Sequence, residues 1–502
     1  MTSFPVVVVG AGIGGLACAL RLASRGVDVT VLESADEVGG KLRCIDIDGA
    51  RLDAGPTVLT MRWVFDELFA EAGAALADAL TLTQASTLAR HAWNGRSRLD
   101  LFADIARSAD AIGTFAGAAE AKRYLAFCAR ARSIYTTLEQ PFLRASQPTP
   151  VSLAGRVGLR GLGGLMRISP FATLWSELSS YFHDPRLKQL FGRYATYCGS
   201  SPFLAPATLM LVAHVEQDGV WLVDGGMQRI ALALKGLIEQ RGGQVRCATT
   251  VERIEVEGGR VRGVQLRDGD RIAASAVVFN GDTSALAGGL LGEAVVRAAP
   301  PIRREQRSLS AITWHLVSRT RGFPLTRHNV FFSGDSPREF HELFVDRRLP
   351  GDPTVYVCAQ DRGAGDPSPE TRTDAPERLM CLVNAPADAD IHPLTSEEIA
   401  RCEATMFDKL ARCGLQLESP TAPPRITTPS VFGKLFPATH GALYGRATHG
   451  WAASFERPSS RSKVAGLYLA GGSVHPGPGL PMAALSGGLA AQSLMEDRRS
   501  MP

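Results

Sequence analysis

Apolar residues near the amino terminus follow a pattern of strand, turn, helix and strand. Phe4 to Val9 is a β-branched apolar run that ends at the glycine-rich stretch Gly10-Ala11-Gly12-Ile13-Gly14-Gly15. Leu16 to Ser24, rich in Ala and Leu, predicts a helix, and Val27 to Leu32 predicts a second strand. The chain therefore begins with a predicted β-α-β unit that carries glycines at its first turn.

A related pattern stands near the other end of the chain. The apolar run Leu467 to Ala470 predicts a strand, Gly471-Gly472 opens a turn dense in Pro and Gly, and Met482 to Leu494 predicts a helix. The start of such a helix offers unpaired backbone N–H groups and the positive end of a dipole. This segment therefore predicts a place for electron-rich atoms of a cofactor.

The middle of the chain supplies further elements of the same kind. Ile230 to Arg241 predicts a helix, Val245 to Ile254 a strand, and Ala276 to Asn280 a buried strand. We therefore expect residues 1–70, 220–290 and 460–502 to form one discontinuous domain. The intervening residues 71–219, mostly helical in pattern, and 291–459, with mixed strands and helices, are expected to form a substrate domain.

The first glycine turn matches the pattern G-x-G-x-x-G in the strand-to-helix context that dinucleotide binding requires. Gly10 permits the tight turn, Gly12 lets a pyrophosphate approach the backbone, and Gly15 lets helix and strand pack closely. Glu33 follows the second strand, where its carboxylate can accept hydrogen bonds from the ribose hydroxyls of an adenosine. The same negative charge disfavours a ligand with a 2′-phosphate.

Composition limits the functions to be considered. The 502 residues are 45% hydrophobic and 21% charged, which is ordinary for a globular protein of two or more domains. The net charge of +4 is spread without a long block of one sign, so nucleic-acid binding has no support. Nine cysteines without a C-x-x-C pair indicate a reducing compartment, and the sequence predicts no metal site.

Segments downstream of Glu33 resemble a known superfamily. Gly39-Gly40-Lys41 and Leu52-Asp53-Ala54-Gly55-Pro56-Thr57 are similar to the extended FAD signature of the flavin amine oxidase and phytoene desaturase superfamily. With His475-Pro476-Gly477-Pro478-Gly479, they identify the chain as a member of its carotenoid desaturase branch. The resemblance extends from end to end. It implies an α/β fold, with a discontinuous Rossmann-type FAD-binding domain of the glutathione-reductase and amine-oxidase kind and an interleaved α+β substrate domain.

The resemblance also implies an activity, which is FAD-dependent desaturation of an acyclic C40 carotenoid. Narrower segments, 436–445, 455–458 and 471–476, imply 3,4-desaturation of a 1-hydroxylated carotenoid such as 1-hydroxyneurosporene. A phytoene-type desaturase, a carotenoid isomerase, a flavin amine oxidase and a non-catalytic prenyl-lipid carrier of the same fold remain alternatives. No second nicotinamide fingerprint is evident, so NAD(P)H is not favoured and the electron acceptor stays open.

The expected FAD site combines the glycine turn with positions that the resemblance supplies. The GG-(R/K) turn is expected at the pyrophosphate, the Asp-x-Gly-Pro segment beside the flavin, the Val251 backbone at adenine and the Met482 backbone N–H at the flavin ring. Arg43 competes with Lys41 as the cation at the pyrophosphate. The expected cofactor-binding residues are Gly10, Gly12, Gly14, Gly15, Glu33, Gly40, Lys41, Gly55, Pro56, Thr57, Val251, Gly472, Pro481 and Met482.

His475 is the candidate catalytic residue, because its turn enters the helix expected at the flavin and an imidazole can take a proton. The alternative is that His475 only braces the Pro/Gly turn. A hydride lost next to a polyene leaves a delocalised cation, so a strong side-chain base is not essential.

The apolar block from Leu162 to Phe182 has two interpretations. It is either a core helix or a helix that dips into a lipid interface, with Arg160 and Arg167 toward headgroups and Trp175 at the boundary. The sequence has no uninterrupted apolar span of membrane length. We therefore expect a cytoplasmic protein that receives its lipophilic substrate at a membrane surface.

Overall fold

The computed structural model describes residues 5–95, 97–146, 149, 171–365 and 375–500. One of its sheets is parallel throughout, and the five strands of this sheet come from both ends and the middle of the chain. In spatial order the strands are Leu467–Leu469, Ala276–Phe279, Val6–Val9, Val29–Leu32 and Gln244–Arg246.

The parallel sheet is buried on both faces, as parallel sheets require. Side chains alternate along its first strand, so Val6 and Val8 pack on one side and Val7 on the other. Three helices cover the first side, namely Ile13–Ala23, Arg229–Gln240 and Leu480–Arg499. An antiparallel sheet covers the other, with strands Val251–Glu257, Arg260–Leu266 and Arg271–Ala273.

A seven-stranded sheet forms the second large layer. Its spatial order is Arg425–Thr427, Ser310–Ser318, Glu377–Ala385, Val355–Ala359, His328–Phe331, Thr87–Ala92 and Arg98–Phe102. Neighbouring strands are antiparallel, apart from the parallel pair His328–Phe331 and Thr87–Ala92. The helix Ser396–Arg412 covers one face of this sheet. The opposite face lines the large cavity described below.

Short strand pairs and further α-helices connect these layers. Three two-stranded pairs are Cys44–Ile47 with Ala50–Asp53, Leu82–Gln84 with Trp221–Val223, and Thr320–Gly322 with Leu415–Leu417. The other α-helices are Trp63–Glu71, Leu76–Ala79, Ile105–Ala116, Ala118–Leu138, Leu174–Tyr181, Pro185–Gly192, Leu211–Asp218, Thr283–Ala287, Ser336–Phe344 and Pro429–Leu435.

The predicted helices and strands agree with the structure where the apolar pattern is strongly periodic. The predictions are less accurate where a strand pairs with a distant part of the chain. The predicted strand Val245 to Ile254 is in fact two strands that belong to different sheets. Residues 71–219, predicted to be mostly helical, also contribute the strands Thr87–Ala92 and Arg98–Phe102 to the seven-stranded sheet. The strands of the parallel sheet come from the three predicted stretches, whereas the division into two domains stays a prediction.

The helix in the described part of the apolar block at Leu162 to Phe182 packs one face on the core, whereas Phe171 before it is exposed. In the helix Leu174–Tyr181, Leu174 and Leu178 are fully buried, and the Trp175 ring lies 4.6 Å from that of Phe203. Residues 162–170, with Arg167, and the earlier Arg160 lie outside the described residues. Among the described helices, none is both long and apolar enough to cross a membrane.

Candidate functional site

The strands of the parallel sheet end side by side, and their carboxyl ends form one edge of a cavity. Val9 pairs in register with Leu32 on one side and with Phe279 on the other. The residues that follow these strands, Gly10, Glu33 and Asn280, therefore meet at this edge. In open α/β sheets this edge is where ligands bind.

The cavity has a volume of about 1640 Å³. Ordinary small-molecule sites occupy roughly 300–1,000 Å³, so this one is large enough for two ligands end to end. Of the residues predicted to bind the cofactor, those that line the cavity are Gly10, Gly12, Gly14, Glu33, Gly40, Lys41, Gly55, Pro56, Thr57, Val251, Gly472, Pro481 and Met482. Gly15 packs beneath the turn, where an added Cβ would overlap the Gly10 carbonyl oxygen.

Glu33 is 8% exposed and accepts hydrogen bonds from backbone around it. The Ala11 N–H donates to Oε2 at 2.7 Å and the Ala35 N–H to Oε1 at 2.9 Å. A carboxylate offers about four lone-pair sites, so capacity remains, chiefly on Oε2, for a hydroxyl in the cavity. The Glu33 carbonyl also accepts from the Thr249 N–H at 2.8 Å, which brings Val251 to this end of the cavity.

The predicted GG turn packs directly on the glycine fingerprint. Gly40 has a φ of +58°, which residues with a side chain rarely adopt. A Cβ atom added to Gly40 would also lie only 3.1 Å from the Gly12 Cα. The Cβ position of Gly12 lies 2.8 Å from Asn280 Oδ1. A side chain at position 12 would therefore displace the Asn280 amide as well as oppose an approaching pyrophosphate.

Asn280 is a cavity residue that the sequence pattern did not single out. Its amide nitrogen donates to the Ala470 carbonyl at 3.0 Å, but its buried Oδ1 has no hydrogen-bond partner among the described residues. Buried polar atoms are normally satisfied, so an orphaned acceptor beside the fingerprint points to a ligand that donates to it. Asn280 was predicted as the last residue of a strand that in fact ends at Phe279. The orientation of its side chain could be seen only in the fold.

Cations also surround the cavity. Lys41 donates to the Leu443 carbonyl, and Arg43 donates to Thr427 Oγ1 at 3.1 Å, and both residues line the cavity. Burial lowers the pKa of Lys41, with a smaller opposing effect of Asp282. Lys41 and Arg43 therefore both remain candidates for the pyrophosphate.

Arg457 is a further cation that the sequence reasoning left without a role. It is 7% exposed and donates to the Gly472 and Tyr444 carbonyls at 3.2 Å each. Burial lowers the pKa of Arg457 to about 10, so the side chain remains protonated at neutral pH. Its position places a permanent positive charge beside the predicted flavin end of the cavity.

The Asp-x-Gly-Pro segment is fixed by its neighbours. Asp53 accepts from the Met227 N–H at 3.0 Å, and burial raises the pKa of its carboxyl group. Two residues further on, an added Cβ at Gly55 would overlap the Lys41 carbonyl oxygen. These contacts leave the exposed Pro56 ring and the Thr57 hydroxyl at the cavity.

The carboxy-terminal helix begins at the cavity. Its first three residues are Leu480, Pro481 and Met482, and Gly479 precedes them with a φ of +119°. The first N–H groups of a helix have no partner within it, and Pro at the second position removes one of them. The Met482 N–H is thus available to an acceptor in the cavity, and its role at the flavin ring stays a prediction.

His475 lies away from the cavity lining, although Pro476 and Pro478 of the same turn reach it. The side chain is 2% exposed, Nε2 lies 2.9 Å from the Phe142 carbonyl oxygen, and the ring packs edge-on against Phe142. This arrangement supports the alternative in which His475 braces the turn. Its catalytic role stays a prediction that this geometry does not favour.

The remaining candidate roles are simpler. Asp282 caps the helix Thr283–Ala287 by accepting from the Ser284 N–H at 2.9 Å. Among the described residues no group of three or more His, Cys, Asp or Glu side chains could hold a metal ion. The dinucleotide end of the cavity offers backbone donors, the Glu33 carboxylate and buried cations, which fits a flavin dinucleotide.

The fold and this donor set define a flavin-dependent oxidoreductase. Residues 13–495 match the family described as flavin containing amine oxidoreductase, and the chain belongs to that family. The predicted cofactor, FAD, is thereby confirmed, and so is the prediction of an enzyme rather than a lipid carrier.

Two relatives are similar over almost the whole chain. A hydroxyneurosporene desaturase of Rubrivivax gelatinosus is 56% identical over 98% of this chain and 93% of its own length. A hydroxyneurosporene desaturase of Cereibacter sphaeroides is 43% identical over 99% of this chain and 98% of its own.

A triple variant of putrescine oxidase superimposes with a TM-score of 0.63 over 98% of this chain and 99% of its own. At 16% identity that likeness concerns the fold alone, and it agrees with the predicted fold class.

Proposed function

We propose that this protein is an FAD-dependent desaturase that introduces the 3,4 double bond into an acyclic, 1-hydroxylated C40 carotenoid. The observation that carries the proposal is a single cavity that runs from a dinucleotide-type sheet edge to the face of a second sheet. The names of its relatives support the substrate class. Loss of one hydride and one proton from neighbouring carbons converts the C3–C4 bond to a double bond.

The substrate end of the cavity is suited to a long apolar chain. On the seven-stranded sheet, the cavity-lining residues Thr313, Leu382 and Tyr356 pair in register across three strands. Helical residues such as Leu211, Val212 and Val215 add apolar surface. Burial of such surface favours a hydrocarbon ligand by about 25 cal/mol per Å² and keeps water from the reacting carbons.

Bound FAD supplies the two-electron acceptor for the hydride. The chain's part is to orient the polyene and to stabilise negative charge. We assign the second task to the Met482 N–H, at the start of the helix Leu480–Arg499, and to the buried Arg457. Since the cation left by hydride loss is delocalised over the polyene, the proton can leave to a weak acceptor.

The activity is tested with purified, FAD-loaded protein and 1-hydroxyneurosporene in phosphatidylcholine vesicles. We expect a red-shifted polyene spectrum, because one further double bond lengthens the conjugated system. Phytoene is assayed in parallel, and we expect no conversion of it. Conversion of phytoene would favour a phytoene-type desaturase, and an isomerised product of unchanged mass would favour an isomerase. An unchanged hydroxylated substrate would contradict the proposal.

We further propose that the enzyme works at the cytoplasmic face of a membrane, where an apolar carotenoid is held. All nine cysteines are free, which supports a reducing compartment. The cavity reaches the surface at Phe171 and Trp451, which are 68% and 49% exposed, with ring centroids 5.6 Å apart. Exposed aromatic side chains at a cavity mouth are suited to the lipid interface.

Vesicle binding tests this location. We expect the double variant Phe171→Ser, Trp451→Ser to lose most of its co-sedimentation with phosphatidylcholine vesicles, because two aromatic side chains no longer enter the interface. Val345→Ser is the matched control, since Val345 is 65% exposed and does not line the cavity. Equal binding of the double variant and the wild type would place the membrane contact elsewhere.

A further inference from the structure

A buried histidine in the cavity has a ring nitrogen with no protein partner. His328 lines the cavity and is 3% exposed, and its Nε2 atom has no hydrogen-bond partner among the described residues. Buried polar side-chain atoms are rarely left this way. The imidazole therefore points to a ligand that can exchange a hydrogen bond with it.

The other ring nitrogen is held by a short chain of hydrogen bonds. His328 Nδ1 lies 2.7 Å from Tyr356 Oη, which lies 2.7 Å from Thr57 Oγ1. The two rings are stacked, with 15° between their planes. The imidazole is thus fixed in orientation and linked to the segment predicted to pass the flavin.

The imidazole is neutral in the folded protein. Burial, together with the charges of Arg327 and Arg193, lowers the pKa of His328 to about 3. A neutral imidazole carries one N–H and one acceptor nitrogen. Nε2 can therefore either donate to a hydroxyl oxygen or accept from a hydroxyl hydrogen, and both partners remain uncharged.

Other polar groups in this part of the cavity are already engaged. The Glu216 carboxylate accepts from Tyr194 Oη at 2.8 Å and from the Tyr197 hydroxyl. The Glu339 carboxylate accepts from the Thr354 N–H and hydroxyl at 2.7 Å each. Neither carboxylate needs a ligand to satisfy it.

Two other cavity-lining side chains have a buried atom without a partner in the described part of the chain. Asn280 Oδ1 belongs to the dinucleotide edge described above. Thr313 Oγ1 shares a row with Tyr356, but the strand Glu377–Ala385 lies between them, so the two side chains are about two strand spacings, roughly 10 Å, apart. His328 alone of the three is linked to Thr57 by hydrogen bonds.

We propose that His328 binds the 1-hydroxyl group of the carotenoid, with Tyr356 and Thr57 as positioning residues, and so selects hydroxylated end groups. This inference rests on the proposed function. In that substrate only one carbon, C2, lies between C1, which carries the hydroxyl group, and C3 of the bond to be oxidised. A group that binds the hydroxyl must therefore lie close to the flavin. His328 meets this condition because it is linked through Tyr356 to Thr57, in the segment predicted to pass the flavin.

The test compares two substrates, 1-hydroxyneurosporene and the same polyene without the hydroxyl, each in phosphatidylcholine vesicles with FAD-loaded full-length protein. Wild type should prefer the hydroxylated substrate in kcat/KM. His328→Leu should lower this preference by about tenfold, the effect of one lost hydrogen bond in a site that leaves a polar group unpaired. Conversion of the substrate without hydroxyl should fall less than conversion of the hydroxylated substrate.

Equilibrium binding of the same two carotenoids, followed by quenching of tryptophan fluorescence, gives a readout that is independent of turnover. His328→Gln, which keeps a donor and an acceptor, should retain part of the preference. Tyr356→Phe removes the anchor of the imidazole and should reduce the preference. If His328→Leu does not bind flavin, the substrate preferences of His328→Gln and Tyr356→Phe test the assignment in its place.

His91→Leu is the matched control. His91 is buried on the neighbouring strand of the same sheet, its Nδ1 contacts the Leu99 carbonyl oxygen at 3.2 Å, and it does not line the cavity. The His91→Leu variant should keep the wild-type preference for the hydroxylated substrate, even if its stability is reduced. If Thr313→Val loses the preference and the His328 variants keep it, the substrate hydroxyl group binds at Thr313. That result would overturn the assignment to His328.

Other outcomes separate the inference from the proposed function. A wild type that prefers the hydroxylated substrate, with His328 variants that keep this preference, overturns the assignment alone. An equal loss of both substrates in His328→Leu and His328→Gln also overturns it, because a selective contact affects the hydroxylated substrate more. A wild type that converts neither carotenoid overturns the proposed function and the inference together.

Discussion

Gly55→Ala should leave the protein almost free of flavin. The Cβ position of Gly55 overlaps the carbonyl oxygen of Lys41 and lies 2.9 Å from its carbonyl carbon, so backbone must separate from backbone. Gly55 and Lys41 both line the cavity. A methyl group at this position therefore displaces the Asp-x-Gly-Pro segment relative to the GG turn, and both are predicted to contact the cofactor.

We expect FAD binding to weaken by at least tenfold and the free energy of unfolding to fall by about 1–3 kcal/mol, the usual range for overpacking. The flavin absorbance per chain after gel filtration measures the first effect, and thermal unfolding measures the second. Gly236→Ala is the control. Gly236 lies inside the helix Arg229–Gln240 with no atom within 4 Å of its Cβ position.

In that control the alanine should stabilise the protein by up to about 1 kcal/mol, because alanine favours helix, and leave flavin content unchanged. A Gly55→Ala protein with full flavin content and wild-type stability would show that the two segments are not held in contact. A loss of flavin without loss of stability would show that the contact matters only for the cofactor.

Asp352→Ala should cause the largest loss of stability. Lys409 is fully buried, its Nζ lies 2.6 Å from Asp352 Oδ1, and it donates to the Phe332 carbonyl at 3.2 Å. Removal of one partner of a buried ion pair leaves an uncompensated charge, which costs about 3–5 kcal/mol. Because Phe332 lines the cavity, the substrate site should loosen as well.

The two partners should not be equivalent. Lys409→Met should cost far less, because Asp352 is 37% exposed and keeps its hydrogen bond from the Gly334 N–H at 2.6 Å. Asp408→Ala is the exposed control. Asp408 forms an i,i+4 pair with Arg412 and is 65% exposed, so its loss should cost no more than about 0.5 kcal/mol. Urea unfolding of the variants measures the differences, and equal losses for the three would contradict the argument.

The effect of Asp352 should depend on pH. Burial raises the pKa of Asp352, but the hydrogen bonds from Gly334 and Lys409 outweigh burial and hold the pKa below its usual value. A carboxyl group with a lowered pKa stabilises the folded state above its unfolded pKa, about 3.9, and loses that effect as pH falls through the folded value. The difference between wild type and Asp352→Ala should therefore shrink below about pH 4.

The sequence by itself determined the nucleotide-binding part of the fold. The strand Val6–Val9, the glycine turn and Glu33 are contiguous, and each depends on local properties such as apolar periodicity, a turn that needs glycine, and a carboxylate after a strand. The pairing of Val9 with Phe279, and of Phe279 with Leu469, joins three distant stretches of the chain. The sequence predicted that these stretches share one domain, but it did not predict the order of their strands.

The tertiary structure decided the orientation of side chains that meet from distant segments. His475 lies in a turn that was predicted to belong to the site. Its ring nevertheless packs against Phe142, which is 333 residues earlier in the chain. The link from Thr57 through Tyr356 to His328 joins three segments with no common motif. Local patterns specify elements, whereas such contacts depend on the packing of one sheet against another, and only the assembled fold fixes that packing.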